Sequence, residues 1–104
     1  MCVGNQALYT KLLKMFRQGQ ADFGSRFNAD LQNPDRDAGL KAALLNAHSL
    51  LGSAANLGIK WVAAAAAPLE LACQEKAPQA RLEVLRDQVL LELAPVLAGL
   101  QQLN

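Results

Sequence analysis

The sequence predicts an all-α protein, an antiparallel up-down-up-down four-helix bundle, in a single domain over residues 1–104. Hydrophobic residues form 52% of the chain, and they are mainly Ala and Leu, which favour helices, rather than β-branched types, which favour strands. Apolar residues recur at the spacing of one helix face, and no useful stretch alternates as a strand would. Four such stripes joined by short connections indicate helices that pack as antiparallel neighbours.

The first helix is predicted over residues 5–32. Its apolar stripe keeps one phase across Gly19 and Gly24, so we expect one long helix in which these glycines permit a bend. The stripe consists of Leu8, Leu12, Phe16, Phe23, Phe27 and Leu31.

The second helix is predicted to begin at the segment "NPDRD", with Asn33 as its N-cap and Pro34 at its first helical position. It extends to about Asn56. Gly58 is expected to adopt the left-handed conformation that commonly ends a helix.

The third helix contains Pro68, where we expect a kink or local unwinding. Trp61 is expected to cover the junction between helices, and contact with a partner protein is the alternative. The fourth helix is expected to bend at Pro95 without ending, because its stripe continues in phase. The third stripe comprises Ile59, Val62, Ala66, Leu69 and Cys73. The fourth comprises Leu82, Leu85, Val89, Leu93, Val96, Leu100 and Leu103.

Charge and composition exclude several function classes. Ten basic and nine acidic residues give a net charge of +1, which argues against a nucleic-acid partner. The chain has neither an apolar run of membrane-spanning length nor a signal-peptide pattern at its start, so we expect no membrane contact. Cys2 and Cys73 lack metal-ligand spacing, and a reduced, cytoplasmic setting fits them best. A single histidine also makes a metal site within the protein improbable.

His48 is the only histidine, and it points away from the predicted core. On a helical wheel of roughly 100° per residue, the core residues fall within about 40° of one direction and His48 lies about 140° away. The core residues on this helix are Ala43, Ala47, Leu50, Ala54 and Leu57. The residues around His48 are Lys41, Leu44, Leu45, Leu51, Gly52 and Ala55.

Two interpretations of this face remain open. Leu44 and Leu51 could pack against a flanking helix, which would leave His48 as a half-buried spacer. Alternatively, the apolar patch around an ionisable group marks a docking surface.

The chemistry available to His48 is nucleophilic. A neutral imidazole has a nitrogen lone pair that can accept a covalent group, and Gly52, one turn later, leaves room for a partner that brings the rest of the site. An enzyme that uses His48 as a general base is a weaker hypothesis, because helical spacing places no carboxylate near it.

The stretch "AHSLLGSAANLG" (47–58) resembles the signature of histidine-containing phosphotransfer (HPt) domains of bacterial hybrid sensor kinases. That signature reads roughly Ala-His-x-Leu-Lys-Gly-Ser/Ala-Ala-x-x-Leu-Gly. The segments "GNQALYTKLLKMF" (4–16) and "AAAPLELA" (65–72) are similar to the family's opening helix and to its later Ala-Ala-x-x-Leu-Glu segment. The resemblance extends from Gly4 to about Leu103.

The resemblance implies a four-helix phosphorelay domain in which His48 takes a phosphoryl group from a receiver aspartate and passes it to the aspartate of a response regulator. Gly52 would give the receiver room, and Ser53 and Ala54 would pack closely or make a polar contact. The docking residues would be Lys41, Leu44, Leu45 and Ala55.

The resemblance also implies a monomer with no ATP site, no autokinase activity and no cofactor of its own, because Mg²⁺ belongs to the partner receiver. The abrupt start at the first helix favours a piece of a longer protein, such as the C-terminal domain of a membrane-anchored sensor kinase. The alternative is an adaptor that is not phosphorylated and binds a partner through the apolar patch around His48.

One residue departs from the family pattern. Leu51 stands where family members commonly have a lysine that offsets the charge of the phosphoryl group. Either Lys41 or Lys60 supplies that charge, or the relay is weakened or specialised.

Overall fold

The computed structural model describes residues 3–102, and these residues form helices and connecting turns without any strand. The all-helical prediction is therefore confirmed, with five helices in place of four, whereas the antiparallel up-down order stays a prediction. The helices are α1 (Val3–Gln20), α2 (Phe23–Leu31), α3 (Arg36–Asn56), α4 (Lys60–Gln74) and α5 (Gln79–Leu100).

The expected single first helix is wrong, because the chain turns at residues 21–22 and starts a new helix. Arg26 pairs with Asp22 at 3.1 Å and donates a hydrogen bond to the Gln20 side chain at 3.3 Å, and these contacts bridge the break. The turn redirects α2 onto α3, and there Phe23 and Phe27 are fully buried with ring centroids 5.6 Å apart.

The same turn explains a second difference from the predicted stripe. Leu8 and Leu12 remain 56% and 39% exposed, although Phe16 on the same helix is buried. α1 makes far less contact with α3 and α5 than α2 makes with α3. Burial along this stripe therefore depends on how closely each part of a helix approaches its neighbours, and of the three stripe residues on α1 only Phe16, near the turn, is buried.

The start of α3 differs from the predicted cap by two residues. Asp35 is the N-cap, and its carboxylate accepts a hydrogen bond from the Ala38 amide at 3.2 Å. Asn33 instead accepts from the Asp35 amide at 2.9 Å, so Asn33 and Pro34 belong to the connecting turn. A carboxylate at the N-cap also favours the positive end of the helix dipole.

The end of α3 is as predicted. Gly58 has φ of +74°, its amide donates to Ala55, and the Ile59 amide donates to Ala54, which together form a Schellman motif. This short turn leads directly into α4.

The core lies between α2, α3, α4 and α5, and Phe16 of α1 also belongs to it. Both proline-containing helices are continuous, so the helix does not unwind at Pro68 and α5 continues past Pro95 as predicted, while a kink at Pro68 and a bend at Pro95 stay predictions. Trp61 is 75% exposed, so the prediction that it covers a helix junction is wrong, and its contact with a partner stays a prediction. The buried residues of α4 and α5 are Val62, Ala66, Leu69, Ala72, Cys73, Leu82, Leu85, Val89 and Leu93. Leu103 lies outside the described residues.

None of the helices within residues 3–102 combines the length and the apolar character that a membrane crossing requires.

Candidate functional site

The outward orientation of His48 follows from the packing of α3. The small residues Ala43, Ala47 and Ala54 have no exposed surface, and they bring α3 close to its neighbours. His48 lies on the opposite side of the helix, and its side chain is 70% exposed. The predicted exposure is confirmed, and the half-buried spacer interpretation is wrong for His48 itself.

A carboxylate contacts the imidazole. His48 Nδ1 lies 2.7 Å from Glu70 Oε2, and the Glu70 side chain is only 16% exposed. Helical spacing on α3 places no carboxylate near His48, as expected, but the neighbouring helix α4 supplies one, and sequence reasoning missed it. Leu69 is buried in the core, and this directs the adjacent Glu70 sideways toward α3.

This contact assigns different roles to the two ring nitrogens. An ionised carboxylate can only accept hydrogen bonds, so Nδ1 donates and carries the proton of the neutral ring. The lone pair is then on Nε2, which is the nitrogen available to a partner. A nucleophile whose ring is oriented by a third group has the arrangement that covalent catalysis requires.

The position of Glu70 had a signal in the sequence. His48 lies about ten residues before the Gly58 turn and Glu70 about twelve residues after it, so two helices that fold back at this turn bring both to the same height. The contacts further from the turn have the same order. Lys76 pairs with Asp37 at 3.7 Å, and Arg36 donates to the Ala77 carbonyl at 2.8 Å.

Gly52 leaves open space beside the ring. A Cβ atom at Gly52 would find no heavy atom of another segment within 4 Å, and the residue is exposed. Side chains on a helix lean toward its N-terminus, so a longer residue at this position would extend over His48. The absence of a side chain thus keeps the approach to Nε2 clear on this side.

The predicted docking residues divide into two groups. Leu45 is 68% exposed, and Lys41 and Ala55 are also exposed. Leu44 and Leu51, one turn on either side of His48, are half-buried and pack against the core. This is the packing expected if the two leucines serve the bundle and not a partner. The apolar surface around His48 is therefore smaller than the sequence suggests.

Ser53 is half-buried at a second surface feature. It lines a groove of about 350 Å³ between α1 and α3, together with Asn56 and Leu57. The α1 side of this groove is apolar and includes Leu12 and Met15, so an apolar surface continues from the end of α3 onto α1.

Neither lysine considered as a substitute for the charge at Leu51 lies beside His48. Lys41 precedes His48 by two helical turns, roughly 10 Å, and its side chain leans away from the ring. Lys60 is at the first turn of α4, roughly 15 Å along the helix from Glu70. Leu51 therefore has no evident replacement on these two helices.

Cys73 is not a competing nucleophile. It is 3% exposed, and burial, assisted by the negative charges of Asp30 and Glu70, raises the pKa of its thiol to about 11. Cys2 lies outside the described residues. Within residues 3–102, no three metal-ligating side chains are grouped as a metal site would need.

A family model matches most of the chain. The family model of the Hpt domain matches residues 11–103, a range that includes His48 and Glu70. No curated protein and no solved structure matches the chain. Hpt domains are phosphotransfer modules of two-component signalling that have no kinase site and interact with receiver domains and response regulators. Because the match covers most of the sequence, the chain belongs to the Hpt domain family.

Proposed function

We propose that this chain is a phosphorelay intermediate in which His48 accepts a phosphoryl group from a receiver aspartate and passes it to the aspartate of a response regulator. The observation that carries the proposal is the hydrogen bond between His48 Nδ1 and Glu70 on an exposed helix face. It leaves Nε2 unprotonated and accessible, as a phosphoryl acceptor must be.

The transfer needs no base from solution, because no proton has to leave the ring. The Nε2 lone pair attacks the phosphorus of the aspartyl phosphate, the bond between phosphorus and the aspartate oxygen breaks, and the carboxylate leaves with the electron pair. The Nδ1 proton stays on the ring, where Glu70 stabilises the positive charge that forms on the imidazole. The reverse sequence transfers the group to the next aspartate.

The partner completes the site. We propose that the receiver supplies Mg²⁺ and most of the charge that stabilises the transferring phosphoryl group, and that this domain needs no cofactor and has no autokinase activity. The approach is over Gly52, with Leu51 and Ser53 near the site and Lys41, Leu44, Leu45 and Ala55 at the docking surface. The groove between α1 and α3 would extend that surface beyond Ser53.

The architecture is part of the proposal. We infer a single domain over residues 1–104 that works as a cytoplasmic monomer, with helices in antiparallel up-down-up-down order. The contacts between α3 and α4 support this order, because the residue numbers fall on α3, from His48 to Arg36, while they rise on α4 and the following turn, from Glu70 to Ala77.

A receiver domain phosphorylated with acetyl phosphate tests the relay when it is mixed with this protein. We expect a label on the protein that is acid-labile and base-stable, and that is absent in His48→Gln. His48 is exposed, so circular dichroism should show that the variant is folded. A base-stable label that persists in His48→Gln would contradict the proposal. Binding of a partner that survives the substitution, without any label in the unmodified protein, would instead identify a helical adaptor.

A further inference from the structure

The surroundings of His48 are poorly suited to retaining a phosphoryl group. On α3, the positions three and four residues from His48 are Leu44, Leu45, Leu51 and Gly52, none of which carries a charge. Within residues 7–102, the one ionised group at ion-pair distance from the ring is the Glu70 carboxylate, which has the same sign as a phosphoryl group. The phosphoryl charge would therefore have no neighbouring cation on this helix face.

The Glu70 contact also assists departure of the group. A phosphorylated imidazole that keeps its Nδ1 proton loses the phosphoryl group as a neutral imidazole, which is a better leaving group than an imidazolate. Glu70 accepts the hydrogen bond that the Nδ1 proton donates, so this proton has a partner while it stays on the ring. The missing cation lowers the stability of the phosphorylated ring, and the carboxylate holds on Nδ1 the proton that lets the group leave from a neutral imidazole.

We propose that His48 is a transient carrier and not a store: its phosphoryl group has a high transfer potential in the free domain and is stabilised only while a partner provides the cations. This inference rests on the proposed function. In the transfer step the bond between Nε2 and phosphorus breaks, its electron pair stays on Nε2, and a new bond forms between phosphorus and the acceptor. The Nδ1 proton remains in place throughout.

A partner-free equilibrium tests the inference. The intact protein is mixed with N-phosphorylimidazole, which transfers its phosphoryl group to His48 and releases imidazole, and ³¹P NMR measures the distribution of the group between the two rings. When imidazole and His48 are present at equal total concentrations, we expect more than half of the phosphoryl groups to remain on imidazole in the experiment with the unmodified protein.

Two lysine variants should move this equilibrium toward His48. Leu51→Lys places a cation three residues after His48, and its long side chain can extend from the half-buried position to solvent. Gly52→Lys places one four residues after His48 with no packing cost, because the space there is open. Each should increase the ratio of phosphorylated to free His48 by about two- to five-fold, as expected for an exposed ion pair, and high salt should reduce the increase.

Leu91→Lys is the matched control, since it adds the same charge at a 73% exposed position on α5. It should leave the distribution unchanged. The inference would be overturned if the unmodified protein is labelled and neither Leu51→Lys nor Gly52→Lys changes the distribution. That result would leave the proposed relay function intact. Failure of every folded variant to become labelled at His48 would contradict the proposed function itself.

Discussion

At the scale of single residues, the contact between His48 and Glu70 converts an exposed histidine into a defined nucleophile. The exposed ring would otherwise exchange between two tautomers, with the lone pair on either nitrogen. The carboxylate is only 16% exposed and lies on a packed helix, so its position is well determined relative to α3. Glu70 is a positioning residue, because it contacts the nitrogen that does not receive the phosphoryl group.

Glu70→Ala and Glu70→Gln should separate positioning from charge. In Glu70→Ala the ring loses its acceptor, and we expect ¹⁵N NMR to show both tautomers and transfer from a phosphorylated receiver to slow by about tenfold or more. Glu70→Gln retains a carbonyl oxygen that can accept from Nδ1 but loses the negative charge, so the tautomer should be retained and the rate should fall less than in Glu70→Ala. Equal loss of rate in both variants, with the tautomer unchanged, would show that Glu70 does not act by orienting the ring.

At the scale of elements, α3 has two glycines with opposite functions. Gly39 allows α3 to approach the end of α2, because a Cβ atom there would overlap the carbonyl oxygen of Asp30. Gly52 faces open space and has no packing role within residues 3–102. A glycine inside a helix is unfavourable compared with alanine, so its presence at position 52 is consistent with a need for access to His48.

Alanine at each of these positions gives opposite effects on stability. Gly39→Ala should reduce the free energy of unfolding by about 1–3 kcal/mol, because backbone has to move to relieve the overlap. Gly52→Ala should increase it by about 0.5–1 kcal/mol through helix propensity. Urea denaturation monitored by circular dichroism measures both changes.

The functional effect should distinguish Gly52 from another exposed glycine. Gly99→Ala, on α5, also meets no neighbouring atom and should stabilise the protein in the same way. Only Gly52→Ala should slow transfer from the receiver. Unchanged transfer in Gly52→Ala would show that this position does not limit the partner's approach.

At the scale of the whole molecule, the core of α2–α5 determines stability while α1 is attached more loosely. Tyr9 donates to the Leu57 carbonyl at 2.9 Å and Arg17 to the Leu100 carbonyl at 3.2 Å, so α1 satisfies acceptors near the ends of α3 and α5. Its residues Leu8 and Met15 remain more than half exposed. The molecule is accordingly elongated, with extents of 48 × 21 × 20 Å.

The stability of the whole molecule should depend on pH through Asp30. Its carboxylate accepts a hydrogen bond from the Asn46 side chain at 2.5 Å across the α2–α3 contact. Burial raises the pKa of the Asp30 carboxyl, and the Asn46 hydrogen bond and the Arg26 charge lower it only in part. The folded state then binds the proton more tightly than the unfolded state. The Asp30 contribution to the free energy of unfolding is therefore fully present below the unfolded-state pKa and is lost as the pH rises through the folded-state pKa.

Asp30→Asn should remove this contribution while it retains an oxygen that can accept from Asn46. The stability of the unmodified protein relative to the variant should therefore improve when the pH is lowered from 7 to about 4. Urea denaturation at both pH values measures the difference, and Asp87→Asn, an exposed position on α5, serves as the control. A difference between the unmodified protein and Asp30→Asn that does not change with pH would contradict this account.

The sequence by itself determined the helical class, most of the apolar faces and the outward direction of His48. These are properties of single helices, since the period of about 3.6 residues assigns each side chain to a face whatever the helix packs against. The left-handed residue at Gly58 was predictable for the same reason, because glycine adopts that conformation without steric cost.

Only the tertiary structure decided the break between α1 and α2, the exposure of Leu8 and Leu12, and the contact of Glu70 with His48. An apolar stripe does not show which of its residues meet a neighbouring helix. Counting from the Gly58 turn gives Glu70 and His48 a similar height along their helices, but it does not show that the two side chains face one another. Contacts of this kind depend on how far two helices rotate and slide when their cores pack, and that is a property of both helices together.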